Sequence, residues 1–162
     1  MLAELIQQIQ GFRSLPFRNR STPMDSTRRE PLDISILYVE DELITRATIH
    51  RMLKARYKTI LLAGDGKEGL ELFRQHLPDI VITDTRMPVM DGLKMSRAIR
   101  ETHPDLPIIF TTANEDPEFF EETRRIGITR NIIKPIMLKE LFAALESAVE
   151  CIQAHQHGQG CN

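Results

Sequence analysis

The sequence has little of several features, and each shortage narrows the class of protein. There is no tryptophan, and the two cysteines, Cys151 and Cys161, could pair, although we expect reduced thiols. No apolar run approaches the roughly 20 residues of a membrane span, and no basic segment followed by an apolar stretch marks a secretory signal. The net charge of -2 favours no nucleic acid. We therefore expect a cytoplasmic protein that binds neither a membrane nor nucleic acid directly.

What remains is the composition of one ordinary domain with tails. The chain has 162 residues, of which 41% are hydrophobic and 27% charged, enough for a single buried core. We assign residues 1–32 to an N-terminal extension, 33–152 to the domain and 153–162 to a tail. The apolar spacing over residues 1–10 predicts a short amphipathic helix, and a linker rich in Pro, Ser, Thr and Arg follows it. This helix could bind a partner or form a dimer, or the segment could be a disordered tail.

From residue 33 onward, apolar β-branched runs alternate with helical patterns. Strands are predicted at 34–39, 59–63, 80–83, 108–111 and 132–133. Helices are predicted between and after them, at 44–55, 67–76, 93–102, 117–126 and 138–152. This alternation is typical of an α/β domain with a parallel sheet. Because a closed eight-stranded barrel needs a longer chain, we predict an open, doubly wound, five-stranded sheet with five helices.

Polar residues stand where the predicted strands stop. They are three acids, a hydroxyl and an amine: Glu40, Asp41, Asp84, Thr112 and Lys134. The carboxyl ends of parallel strands share one edge of a sheet, where such sheets bind ligands, so these side chains should converge. The acid after the second strand, Asp65, lies between two glycines and is interpreted as a turn residue rather than a ligand.

Such a cluster has an electrostatic problem that a metal ion would solve. Two carboxylates about 4 Å apart repel by about 4 kcal/mol at an effective dielectric near 20, so three need a cation or a bound proton. A hard divalent ion, Mg²⁺ above all, suits these oxygen ligands. With Lys134 and Thr112 able to bind phosphoryl oxygens, the set suits phosphoryl transfer. Helix capping explains any single position equally well, but it does not select three acids and a lysine at one edge.

The residues that carry this chemistry resemble a known family. Residues 79–92 (DIVITDTRMPVMDG) are similar to the phosphoacceptor segment of response-regulator receiver domains, including chemotaxis regulators, and the match continues at 37–42, 110–113 and 132–135. The intervals also agree: 43 residues from Asp41 to Asp84, 28 to Thr112 and 22 to Lys134. The resemblance covers about residues 33–152. It implies a flavodoxin-like sheet with the strand order 2-1-3-4-5.

The resemblance assigns the acidic residues to phosphate transfer and metal binding. Asp84 would accept the phosphoryl group, attacking the phosphorus of a phosphohistidine on a sensor histidine kinase or phosphotransfer protein. Asp41 and Asp84 would ligate Mg²⁺ directly, together with the backbone carbonyl of Arg86. Glu40 would act largely through water.

The remaining motif residues would bind the phosphate and change conformation in response to it. Lys134 would hold a phosphoryl oxygen, and the Lys134–Pro135 bond matches one that is usually cis in the family. Thr112 would swing toward the phosphate with its loop and so change the surface of the fourth helix, fifth strand and fifth helix. Gly92 would allow a close approach into the next helix.

Three positions are expected to modulate this behaviour. Asn131 stands where the family often has Tyr or Phe three residues before the lysine, so the usual coupling between the threonine and an aromatic ring is in question. Arg86 and Asn114 occupy variable positions that flank the phosphate. A long cation at position 86 should influence the lifetime of the acyl phosphate.

Two rival interpretations are weaker. A phosphatase or phosphotransferase that forms an aspartyl phosphate would use an acid two residues beyond the nucleophile, where this chain has Arg86. A pseudo-receiver scaffold usually loses the acceptor, an acid or the lysine, and all are present here. We therefore expect a phosphoacceptor rather than a turnover enzyme. No DNA-binding module fits after residue 152, so the output partner, a missing output domain and homodimer formation stay open.

Overall fold

A five-stranded parallel sheet forms the centre of the structure, a computed structural model that describes residues 30–156. The strands are β1 Leu32–Val39, β2 Tyr57–Ala63, β3 Ile80–Asp84, β4 Ile108–Thr112 and β5 Arg130–Ile133. The helices are α1 Leu43–Leu53, α2 Gly66–His76, α3 Gly92–Arg100, α4 Pro117–Ile126 and α5 Leu138–Gln156. The helix predicted at residues 1–10 lies outside the described residues.

The strand order is β2-β1-β3-β4-β5, and every pairing is parallel. The predicted order and fold class are therefore confirmed. In this register Val39 pairs with Thr83, and Asp84 pairs with Thr111. Because Thr112 in turn pairs with Ile133, the ends of β1, β3, β4 and β5 meet at one edge.

Helices cover both faces of the sheet, which explains why the strand residues do not alternate between apolar and polar. One face of the sheet packs against α1 and α5 in a cluster that includes Ile36, Ile82 and Leu145. The other face packs against α2 and α3 in a cluster that includes Val81 and Phe73. Each such fully buried side chain contributes about 1.5–3 kcal/mol of burial free energy, so the central strands are held from both sides.

Helix ends follow local chemistry in most places. Asp65 caps α2 by accepting hydrogen bonds from the backbone N–H groups of residues 67 and 68, which confirms its interpretation as a structural residue. Asp91 and Asp116 cap α3 and α4 in the same way. Several boundaries differ from the predicted ones by up to four residues. The strands β1, β2 and β5 each begin two residues earlier, at Leu32, Tyr57 and Arg130, and α5 continues past residue 152 to Gln156.

Two expectations from composition can be compared with the described residues. No helix within residues 30–156 combines the length and the apolar character that a bilayer crossing requires.

The expectation of reduced thiols was wrong for Cys151, which is disulfide-bonded. Cysteine usage alone does not decide pairing, because pairing depends on which residues the fold brings together.

The turn from β3 into α3 requires a glycine. The N–H of Gly92 donates to the carbonyl oxygen of Thr85 over 3.2 Å, which presses the start of α3 against the end of β3. A Cβ at position 92 would overlap the carbonyl oxygen of Asp84 and would lie 3.0 Å from Oγ1 of Thr83. The close approach expected at this glycine is present, and the atom it approaches belongs to the predicted phosphoacceptor.

We predict that Gly92→Ala destabilises the fold by about 1–3 kcal/mol, because the new methyl group overpacks a backbone contact that cannot relax freely. Urea unfolding followed by circular dichroism measures the change. Gly64→Ala is the matched control, because its Cβ would meet only side-chain atoms, the nearest at 3.3 Å, and should change stability little. Equal stabilities for Gly92→Ala and the wild type would contradict the prediction.

Candidate functional site

The structure brings the three predicted acids together at the carboxyl edge of the sheet. Glu40, Asp41 and Asp84 each offer a carboxylate oxygen, and these oxygens all lie within 4.8 Å of one another. Glu40 is fully buried, Asp84 is 7% exposed and Asp41 is exposed. The group therefore opens to solvent on the side of Asp41, while its other members are held inside the fold.

The buried Glu40 carboxylate is surrounded by donors. Oε2 accepts from Oη of Tyr38 over 3.4 Å and from Nζ of Lys134 over 3.2 Å, and Oε1 accepts from the N–H of Glu42 over 3.4 Å. Burial raises the pKa of Glu40 and the charge of Asp84 raises it further, while Lys134 opposes the shift. Burial and the Glu40 charge also raise the pKa of Tyr38, so this phenol stays a donor. Sequence reasoning missed Tyr38, since it reads as an ordinary core residue.

Lys134 bridges two of the acids. Its Nζ donates to Oδ2 of Asp84 and to Oε2 of Glu40, and its backbone N–H donates to the carbonyl of Thr112 over 2.7 Å. Burial lowers the pKa of this amine, but the hydrogen bond to Asp84 and the charges of both acids outweigh burial, so the net pKa is raised. Lys134 is therefore a protonated ammonium that lies between two carboxylates. The Lys134–Pro135 bond is cis, as the resemblance implies.

The two carboxylate oxygens of Asp84 have different neighbours. Oδ2 accepts from the ammonium of Lys134. Oδ1 accepts from the backbone N–H of Arg86 over 3.0 Å and lies 3.5 Å from the hydroxyl of Thr85. The side chain of Arg86 is exposed. One oxygen thus faces a full positive charge, and the other faces neutral donors.

Thr112 is fully buried and is held on the neutral side of Asp84. Its Oγ1 accepts from the backbone N–H of Asn114 over 3.0 Å and from the hydroxyl of Thr85 over 3.1 Å. The side chain of Asn114 accepts from the N–H of Asp116 over 2.9 Å, at the start of α4. Sequence reasoning missed Thr85, although a second hydroxyl directly after the predicted acceptor is visible in the motif.

Asn131 makes a polar contact where the family often has an aromatic ring. Its Nδ2 donates to Oγ1 of Thr123 over 2.9 Å, and that hydroxyl donates to the carbonyl of Phe120 over 2.9 Å. Among the described residues, Oδ1 of Asn131 has no hydrogen-bond partner. The side chain thus joins β5 to α4 directly.

Arg46, which sequence reasoning also missed, anchors the acidic loop. Its guanidinium donates to the backbone carbonyl of Glu40 and lies 3.5 Å from that of Asp41. Because Arg46 belongs to α1, this contact ties the loop after β1 to the first helix. No local pattern separates such an arginine from the solvated cations around it.

Comparison with known protein families decides what this arrangement is. The model of the response regulator receiver domain matches residues 36–146, which is more than half of the chain and includes every residue of the cluster. The chain belongs to this family. Receiver domains of response regulators are signalling proteins of two-component systems that histidine kinases phosphorylate, and they are generally not turnover enzymes.

The curated relatives that the receiver matches include regulators from bacteria. It is 34% identical over 116 residues to the response regulator MprA of Mycolicibacterium vanbaalenii, covering 72% of this chain and 50% of the relative. It is 35% identical over 115 residues to the transcriptional regulatory protein PdtaR of Mycobacterium tuberculosis, covering 70% and 56%. The chain thus spans about half the length of these curated relatives.

Solved structures share the fold of the receiver. The chemotaxis response regulator CheY4 of Vibrio cholerae superposes with a TM-score of 0.67 at 28% identity, covering 72% of this chain and 99% of that one. The signal receiver domain of an HD domain-containing protein from Pseudomonas fluorescens gives 0.69 at 28% identity, covering 79% and 100%. The resemblance read from the motifs is confirmed at the level of family and fold.

The raised pKa of Glu40 predicts a pH dependence of stability in metal-free protein. A carboxyl whose pKa is higher in the folded state favours folding while it is protonated, and this contribution is lost as pH rises through the folded pKa. Glu40→Gln removes the titration and keeps the shape. In urea unfolding with EDTA, we expect the stability of the variant relative to the wild type to be higher at pH 8 than at pH 5. The same difference at both pH values would contradict the assignment.

Proposed function

We propose that this receiver accepts a phosphoryl group on Asp84 from a histidine kinase or phosphotransfer protein. The observation that supports this is the placement of the Asp84 carboxylate, which lies beside Lys134 within an acidic cluster that opens to solvent at Asp41. An oxygen of Asp84 attacks the phosphorus of a phosphohistidine. The new P–O bond forms as the P–N bond breaks, and the imidazole takes up a proton and leaves.

The acidic cluster fits a Mg²⁺ ion. Three carboxylates within 4.8 Å of one another carry more negative charge than the single ammonium of Lys134 balances, and they supply the hard oxygen donors that Mg²⁺ prefers. Asp41 and Asp84 would hold the ion directly with the backbone carbonyl of Arg86, and Glu40 would act through water. The bound ion would offset the charge of the entering phosphoryl group.

Lys134 and Thr112, which flank Asp84 on opposite sides, bind the phosphate and respond to it. Lys134 exchanges its carboxylate partner for a phosphoryl oxygen, and Thr112 donates its hydroxyl proton to another. Movement of Thr112 carries Asn114 and the start of α4 with it and alters the surface of α4, β5 and α5. In this chain the contact between Asn131 and Thr123 takes the place of an aromatic coupling, and Arg86 influences the lifetime of the acyl phosphate.

The setting of this reaction is part of the proposal. Residues 33–152 form the receiver, residues 1–32 an N-terminal extension and residues 153–162 a tail, and the chain works in the cytoplasm. The switched surface acts on an output partner or on an output domain.

We predict that the protein incubated with acetyl phosphate and Mg²⁺ gains one phosphate, and that Asp84→Asn gains none because the nucleophilic carboxylate is gone. Intact-protein mass spectrometry measures the gain. The matched control is Asp105→Asn, an exposed aspartate that precedes β4 at the opposite edge of the sheet. It should be labelled like the wild type. An unlabelled wild type, or equal labelling of Asp84→Asn, would reject the acceptor assignment.

We also predict that Mg²⁺ stabilises the receiver through the acidic cluster. A ligand that binds only the folded state at ten times its Kd adds about 1.4 kcal/mol, so thermal unfolding should shift upward with Mg²⁺ but not with NaCl of equal ionic strength. Asp41→Asn should abolish the shift, while Glu42→Gln, an exposed neighbour, should keep it. A full shift in Asp41→Asn would show that the ion binds elsewhere.

A further inference from the structure

The hydroxyl of Thr85 lies between the proposed acceptor and the proposed switch residue. Its Oγ1 is 3.1 Å from Oγ1 of Thr112 and 3.5 Å from Oδ1 of Asp84. The residue is 3% exposed, so water does not compete freely for this hydroxyl. Among the described residues, Thr85 is the only one whose side chain lies within hydrogen-bond distance of both the Asp84 carboxylate and the Thr112 hydroxyl.

The backbone holds this hydroxyl in place. The N–H of Thr85 donates to the carbonyl of Thr111 over 3.2 Å, and the carbonyl of Thr85 accepts from the N–H of Gly92 over 3.2 Å. The residue is thereby fixed to β4 on one side and to the start of α3 on the other. The position of its side chain is a property of the framework rather than of a mobile loop.

The hydrogen bonds at Thr112 show what the Thr85 hydroxyl does. A hydroxyl oxygen accepts at two lone pairs and donates one proton. We assign the single proton of the Thr85 hydroxyl to Oγ1 of Thr112 at 3.1 Å rather than to Oδ1 of Asp84 at 3.5 Å, because the first contact is shorter. Oγ1 of Thr112 then accepts from the N–H of Asn114 and from the hydroxyl of Thr85, so both lone pairs are used and its own proton is left to donate. The two donors restrain Thr112 in its resting position and leave its hydroxyl proton free to be donated to another acceptor.

The two restraints differ in what happens when Thr112 moves. Asn114 is two residues further along the same loop and can move with Thr112. Thr85 is anchored to β4 and α3, so movement of Thr112 toward a phosphoryl group on Asp84 breaks its bond to Thr85. A bond made only in the resting state lowers the apparent affinity for any ligand of the switched state.

We propose that Thr85 is a positioning residue that restrains Thr112 at rest and so sets how strongly phosphorylation must act to switch the receiver. This inference rests on the proposed function, because it assumes that a phosphoryl group on Asp84 draws Thr112 toward it. Thr85 acts through Thr112 and has no part in the bond-making step. The hydroxyl, rather than the bulk of the side chain, carries the effect.

The test uses beryllofluoride with Mg²⁺, a phosphoryl analogue that does not require a kinase, and isothermal titration calorimetry on the full chain. Thr85→Val removes the hydroxyl and keeps the shape, and it should bind beryllofluoride about three- to tenfold more tightly, the equivalent of one ordinary hydrogen bond. Thr85→Ser keeps the hydroxyl and should bind like the wild type. Thr85→Ala serves if the valine variant does not fold, with the same expected direction.

Two further variants show whether the effect passes through Thr112. In a Thr112→Ala background, Thr85→Val should leave the affinity unchanged, because the restrained hydroxyl is absent. Thr83→Val is the matched control, since it removes another fully buried hydroxyl, one that donates to the backbone carbonyl of Asp84 over 2.9 Å. It should bind like the wild type.

The outcomes separate this inference from the proposed function. If the wild type and Thr85→Val bind equally, or the variant binds more weakly, Thr85 does not restrain the switch. If the gain persists in Thr112→Ala, Thr85 acts on the phosphate directly and the inference is overturned. If the wild type binds no beryllofluoride, or Asp84→Asn binds as well as the wild type, the proposed function fails and the inference fails with it.

Discussion

The close approach of negative charge at one edge of the sheet is the constraint on which the rest of the structure depends. Glu40 and Asp84 lie within 4.8 Å of each other and of Asp41, an arrangement that repulsion would oppose in any unsupported loop. The ammonium of Lys134 lies between two of them, and burial raises the pKa of Glu40. The ammonium of Lys134 thus offsets part of the repulsion among the acids, but one positive charge does not balance three carboxyl groups.

The framework makes this arrangement possible. Parallel register aligns the ends of β1, β3, β4 and β5, and helices on both faces bury the strands. The framework also gives the two carboxylate oxygens of Asp84 different neighbours. Oδ2 faces the charge of Lys134, whereas Oδ1 faces the amide of Arg86 and the hydroxyl of Thr85. The hydroxyl side continues through Thr112 and the loop after it to α4, so electrostatic binding and the proposed switching use opposite sides of one carboxylate.

Most of the elements and the members of the acidic cluster could be predicted, because each depends on local signals. β-branched runs mark the strands, breakers mark their ends, and acids after strand ends mark the shared edge. The end of α5 was missed because its last turn, up to Gln156, is too polar to extend an apolar pattern. Thr85, Tyr38 and Arg46 were missed because their importance depends on which atoms the folded chain places beside their side chains.

By itself the sequence determined the fold family and which residues meet at the carboxyl edge, since the alternation of strands and helices predicts a parallel sheet whose strand ends share one edge, and the motifs carry the family resemblance that implies the strand order. Only the tertiary structure decided the partners of each oxygen and nitrogen within that edge. Hydrogen bonds depend on distances of a few tenths of an ångström and on side-chain direction, and neither is encoded in residue spacing. The contact of Thr112 with Thr85, and that of Asn131 with Thr123, belong to this second class.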